Sequence, residues 1–107
     1  MKNDKVLSLM GLAKKAGKLK SGEFCVETEL KKGKAKLVIV AGDASDNTKK
    51  NYNDMCSYRR VPIVLYSDKE SLGKCLGTDE RAAAVIIDEG FANGILKELG
   101  NQSEVVE

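Results

Sequence analysis

Apolar and polar positions along the chain alternate between helical spacing and short continuous apolar runs. Val6, Leu7, Leu9, Met10 and Ala13 form a stripe at helical spacing behind Asn3 or Asp4, either of which can cap it, and Gly17 ends this first helix. Leu19–Ser21 reads as short and extended. Ser21 or Gly22 opens a second helix in which Val26 and Leu30 repeat at i and i+4. Lys31 and Lys32 sit in its last turn, favourable against the helix dipole, and Gly33 closes it. Residues 37–41 are an unbroken β-rich apolar run of the kind covered on both faces, the central strand. Asp43 or Ser45 caps a third helix that reaches about residue 58, with Arg59 and Arg60 near its end.

Val61 and the single proline, Pro62, break that helix before a second buried strand, Ile63, Val64 and Leu65. Ser67 and Glu70 have capping-box spacing, which predicts a short helix that runs to Leu76 and stops at Gly77. Residues 82–87 form a third buried strand. Asp88 or Glu89 starts a last helix that turns Phe91, Ile95, Leu96 and Leu99 to the core and ends at Gly100. Strands that read as apolar runs and alternate with helices imply an α/β protein. The expected architecture is a three-layer α/β/α sandwich around a mixed, mostly parallel sheet of about four strands. Residues 1–100 make one domain, and the polar tail, 101–107, is expected to fray. There are no internal repeats, low-complexity segments or linkers.

Composition narrows the function classes. No apolar run approaches the roughly 20 residues of a membrane span. Lys2, Asp4 and Lys5 lead into the first helix without a signal-peptide pattern, so the expectation is a soluble cytoplasmic protein. Cys25, Cys56 and Cys75 are odd in number, widely spaced and free of any CxxC, which predicts reduced, partly buried residues rather than disulfides or a zinc site. The chain has no histidine, hence neither the commonest general base nor the commonest metal ligand. A non-catalytic protein without cofactor or metal is expected.

Charge is uneven. Residues 1–36 carry ten lysines against four acids, whereas residues 37–107 carry eight basic against twelve acidic side chains, so a net charge of +2 hides a dipolar chain. The densest part is residues 14–36, with lysines at 14, 15, 18, 20, 31, 32, 34 and 36 against Glu23, Glu27 and Glu29. Such a half draws in polyanions, RNA among them, although a lysine-rich run also serves plain solvation.

Three motifs reduce to local structure. Residues 11–18, GLAKKAGK, put five residues between the glycines where a phosphate-binding loop needs four, and Leu19 stands where Ser or Thr would meet Mg²⁺. Asp43 and Asp46, with Ser45 and Asn47 beside them, read as loop and cap chemistry rather than a cation site. Asp88 and Glu89 complement a helix start.

The run GEFCVETELKKGKAKLVIVAGDAS, residues 22–45, resembles the kink-turn RNA-binding ribosomal protein family of the L-seven-Ae type. Its pattern is a glycine, a short helix, a basic-Gly pair, Lys-Leu-Val and a strand that ends in small-x-Asp. The likeness continues through CSYRRVPIVLYSDKESLGKCLG, residues 56–77, with its Val-Pro and Leu-Gly pairs. GLAKKAGKLKSGE and DEGFA are similar to the small bacterial, YlxQ-like branch of that family. The resemblance covers most of the chain and implies an α/β/α sandwich that binds RNA sharply bent beside tandem sheared G·A pairs. In the family the start of the second helix enters the widened groove and reads guanine edges.

Carried over residue by residue, the resemblance places the reader at Gly22, Glu23, Phe24, Cys25 and Thr28. The family's Asn, Glu and Lys readers fall on Phe24, Cys25 and Thr28, none of which matches. Phe24 can stack on an unstacked base or pack in the core, and Glu23 or Thr28 can hydrogen-bond a base edge. Lys20, Lys31, Lys32, Lys34 and Lys36 would hold the phosphate backbone. The family's second contact falls on residues 77–82, where Thr78 and Arg81 are the candidates; Arg81 can grip RNA or pair with Asp79 or Glu80. The expected partner is structured RNA, a kink-turn or similar, ribosomal RNA included, bound by a monomer, with no DNA and no membrane. The departures keep an alternative open, a protein-interaction or ribosome-associated module of the same fold that has lost kink-turn specificity.

Overall fold

The computed structural model describes residues 4–106, with side chains placed from 4 to 100. Helix α1 (Lys5–Lys15) starts where the Asp4 carboxylate accepts from the Leu7 amide at 3.0 Å, and it buries Val6, Met10 and Ala13. Asn3, the other candidate cap, lies outside the described residues. The Tyr66 hydroxyl donates to the same carboxylate at 2.9 Å, tying this cap to the middle of the chain. Then follow β1 (Leu19–Ser21), α2 (Glu23–Lys32), β2 (Leu37–Val40), α3 (Asp46–Arg59), β3 (Ile63–Leu65), α4 (Lys69–Leu76), β4 (Ala83–Ile86) and α5 (Glu89–Val106).

The four strands form one mixed sheet in the order β1-β4-β2-β3. Its pairing corrects one expectation: only β2 and β3 are parallel, while β4 runs antiparallel to both β1 and β2. The cause lies in residues 77–82. A helix that simply crosses over returns the chain to the end where the previous strand began, and the next strand is then parallel. Here the chain doubles back along α4 instead. The Thr78 amide donates to the Gly73 carbonyl at 2.8 Å and the Arg81 amide to the Lys69 carbonyl at 3.1 Å, so β4 enters the sheet from the end at which β3 leaves it. Gly73 makes the return possible. A methyl group there would fall 2.7 Å from the Asp79 carbonyl carbon and closer still to its oxygen.

Every residue of β2 and β4 is buried, as continuous apolar runs require in a sheet covered on both faces. Leu37, Ile39, Ala84 and Ile86 face one way and pack with Val6, Met10, Leu72 and Ile95. Val38, Val40, Ala83 and Val85 face the other and pack with Val26, Leu30, Tyr52 and Cys56. Helices α1, α4 and α5 therefore cover one face, and α2 and α3 cover the other. Removing each large aliphatic from water contributes about 1.5–3 kcal/mol.

Local signals set most helix ends. Ser45 Oγ accepts from the Thr48 amide at 3.1 Å and Asp88 Oδ2 from the Phe91 amide at 2.9 Å. Helix α4 departs from its expected box. Asp68 caps it, accepting from the Ser71 amide at 2.7 Å, because Ser67 sits at φ 61° with its carbonyl taken by the Gly42 amide and cannot adopt the extended conformation of a cap. Helix α5 does not stop at Gly100: its backbone continues to Val106. No helix of the described residues is long and apolar enough to cross a membrane.

Candidate nucleic-acid interface

The start of α2 is built differently from every other capped helix of the described residues. Its N-cap is Gly22, at φ 96° and ψ 150°, a conformation that a side chain would strain, and no side chain caps the first turn. The Gly22 amide donates to the Ala83 carbonyl at 3.1 Å, which pins the helix start to the first residue of β4. The first-turn amides therefore have no side-chain acceptor and point out of the N-terminal end of the helix, where the positive end of its dipole lies.

Burial sorts the side chains of α2 by face. Val26, Glu29 and Leu30 turn inward, and Glu23, Phe24, Lys31 and Lys32 are exposed. Phe24 is 81% exposed, so its ring is not part of the core. Thr28 is half-buried and donates through Oγ1 to the Phe24 carbonyl at 2.8 Å; Cys25 is also half-buried, with a free thiol. Behind α2, Tyr52 of α3 is 2% exposed and its hydroxyl has no hydrogen-bond partner. Burial, and then the carboxylates of Glu23 and Glu27 and the thiol of Cys56, push its pKa above the ordinary phenol range.

The loop before β4 meets the same point. Arg81 donates through Nε to Ser21 Oγ at 3.1 Å and through Nη1 to the Glu80 carbonyl at 3.1 Å. Its guanidinium thus binds neither the Asp79 nor the Glu80 carboxylate, which removes the surface ion pair considered for it. The ion pairs among the described residues are Lys50–Asp54 and Lys74–Glu70, both exposed. Thr78 lies farther along that loop, where its hydroxyl bonds the Gly73 and Asp79 carbonyls at 3.4 and 2.9 Å and so fastens the turn. Asp43 accepts from the Lys69 amide at 2.9 Å, which is loop chemistry of the expected kind.

The lysines fall elsewhere. Gly22 bonds the carbonyl of Ala83 and the Lys36 amide that of Ile86, so these two lie at opposite ends of β4. Helix α2 spans its ten residues, about 15 Å, between them. Lys31, Lys32, Lys34 and Lys36 therefore cluster at the far end of α2. Lys18, whose carbonyl accepts from Ile87, joins them at that end of the sheet. Lys20 alone lies on β1, exposed, beside the helix start. Two features escaped sequence reasoning: the Ser21 anchor of Arg81, sixty positions away in the chain, and the joining of Arg59 and Arg60 to the lysine-rich end. An adjacent arginine pair was the only signal for the second.

The family model described as the ribosomal protein L7Ae/L30e/S12e/Gadd45 family matches residues 4–96. The chain is 40% identical over 88 residues to the RNA-binding protein YlxQ of Bacillus subtilis (strain 168), covering 82% of this chain and 88% of that one. It is 40% identical over 88 residues to the RNA-binding protein YlxQ of Enterococcus faecium, covering 82% and 84%. A solved structure of a protein with unknown function from Bacillus halodurans C superposes with a TM-score of 0.85 at 34% identity, covering 89% of this chain and 96% of that one. The Giardia lamblia 15.5kD RNA binding protein shares the fold, with a TM-score of 0.74 at 23% identity over 100% and 94% of the two chains.

Proposed function

Because this chain belongs to the ribosomal protein L7Ae/L30e/S12e/Gadd45 family, we propose that it is a non-catalytic RNA-binding protein that seats the open start of α2 in a kinked RNA. The observation that carries this reading is a conjunction at one point: an uncapped helix start, an exposed Phe24 and an Arg81 held beside Ser21. Each has a role that RNA can use. The free amides and the dipole favour a phosphate, and Gly22 lets backbone approach closely. The Phe24 ring offers a platform for an unstacked base. Arg81 spends two of its five donors on Ser21 and Glu80 and keeps the others for a phosphate or base edge.

Glu23 repels phosphate but accepts from a base amine, so it orients the bound RNA rather than attracting it. The lysines at the far end of α2 supply attraction that is independent of sequence and sensitive to salt. Binding selects the bent conformer of the RNA, and the work is a shift of population rather than chemistry. The protein does this in the cytoplasm, as a monomer, on structured RNA such as ribosomal RNA.

The test is a gel shift with a kink-turn stem and the same stem lacking its tandem G·A pairs. The kinked stem should bind more tightly by tenfold or more, about 1.4 kcal/mol. Equal affinity for both would leave an RNA binder that does not read the kink.

A further inference from the structure

At the end of the molecule opposite the α2 start, the C-terminal ends of α2 and α3 enclose a groove of about 690 Å³. Its charged side chains are Lys36, Arg59 and Arg60, with the ring of Tyr58 beside them and no carboxylate. Tyr58 is 83% exposed, and the Arg59 guanidinium carbon stands 5.5 Å from its ring centroid. None of these cations takes part in the ion pairs found among the described residues.

The backbone adds an independent observation. Arg60 is the C-cap of α3 at φ 60°, in the left-handed region, where α2 and α4 use Gly33 and Gly77. A side chain costs about 1–2 kcal/mol in that conformation. An arginine kept where glycine would be less strained points to a use for its guanidinium. An exposed aromatic ring with an arginine over one face and further cations beside it, none of them in an ion pair among the described residues, is an arrangement with which proteins hold single-stranded nucleic acid, stacking a base on the open face and gripping its phosphates. A duplex buries the base faces that such a ring needs, so the strand must be unpaired. Charge selects a polyanion, and Lys31, Lys32 and Lys34 continue the basic surface towards α2.

We propose that this groove is a second RNA contact, which takes an unpaired nucleotide with its base stacked on Tyr58 and its phosphates held by Lys36, Arg59 and Arg60. It rests on the RNA-binding reading but not on the kink. A kinked RNA with a single-stranded extension would be held at both ends of α2.

The experiment titrates the full chain, by fluorescence anisotropy at low salt, with a short labelled single-stranded RNA of mixed sequence and separately with the kink-turn stem and its G·A-less control. Tyr58→Ala should weaken single-strand binding about 5- to 150-fold, the range of one lost base stack, while Tyr58→Phe retains it. Arg60→Gly keeps the left-handed cap, removes the charge and should lower the salt slope for the single strand by about 0.7. Preference for the kinked stem over its control should be unchanged in all three variants. Failure of the parent to bind the single strand, Tyr58→Ala binding as tightly as the parent, or displacement by poly-glutamate at equal charge would overturn the proposal. Loss of stem discrimination in the parent would instead overturn kink reading alone.

Discussion

Arg81 donates through Nε to Ser21 Oγ at 3.1 Å, joining the loop before β4 to the residue that precedes the α2 cap. The bond fixes the guanidinium where the open helix start is, although 60 positions separate the two in sequence. Arg81→Ala should therefore weaken RNA binding by about 1–3 kcal/mol, the range for one lost arginine contact. Because the side chain is half-exposed, stability should change by no more than about 1 kcal/mol. Arg81→Lys keeps the charge but not the planar fork and should restore only part of the affinity. Binding titrations alongside urea denaturation test this; an Arg81→Ala protein that binds as tightly as the parent would detach the loop from the interface.

Phe24 separates binding from folding more sharply. Its ring is 81% exposed, so Phe24→Ala leaves no cavity and should change stability by less than about 0.5 kcal/mol. Loss of a stacked base should cost about 1–3 kcal/mol of RNA affinity. Measuring both on one protein preparation decides it. A drop of several kcal/mol in stability would mean that the ring packs against the protein in solution.

Lysines at the far end of α2 should behave unlike either residue. Lys32→Ala and Lys36→Ala should weaken kinked and unkinked stems by equal factors, and each should flatten the plot of log affinity against log salt by about one unit. The slopes are the diagnostic, because exposed lysines leave folding untouched. Unchanged slopes in both variants would exclude this end of α2 from the interface.

Sequence made legible whatever is settled within one turn or one strand. The apolar runs of β2 and β4, the Ser45 and Asp88 caps and the Gly33 and Gly77 stops all depend on neighbours a few positions away. What stayed hidden depends on contacts between distant segments. The antiparallel entry of β4 rests on residues 77–82 folding back over Gly73, which the alternation of strands and helices does not encode. Ser67 had capping-box spacing, yet the Gly42 amide claims its carbonyl and passes the cap to Asp68. At the candidate site, periodicity placed Phe24 equally well inside or outside. The lysines that surround α2 in sequence collect mainly at its far end, because helix α2 separates its two flanks by its own length.

Alkali should loosen the face covered by α2 and α3. Burial pushes the Cys56 thiol from its ordinary value of 9.0 up to about 11, and it raises the Tyr52 hydroxyl as well. Both groups are held neutral in the fold, so below pH 9 neither affects the dependence of stability on pH. Between pH 9 and 11 the unfolded chain releases the Cys56 proton while the folded chain retains it. The unfolded state then binds fewer protons, and stability falls as pH rises through that window. A shift of this size corresponds to roughly 2–3 kcal/mol for Cys56, with Tyr52 adding to the loss above pH 10. Urea denaturation midpoints at pH 8 and pH 10.5 measure the effect, with Cys56→Ala as control. That variant begins less stable because it loses buried volume, but it should lose less stability between the two pH values than the parent. Equal losses in parent and variant would show that the Cys56 thiol ionises as readily in the folded chain as in the unfolded one.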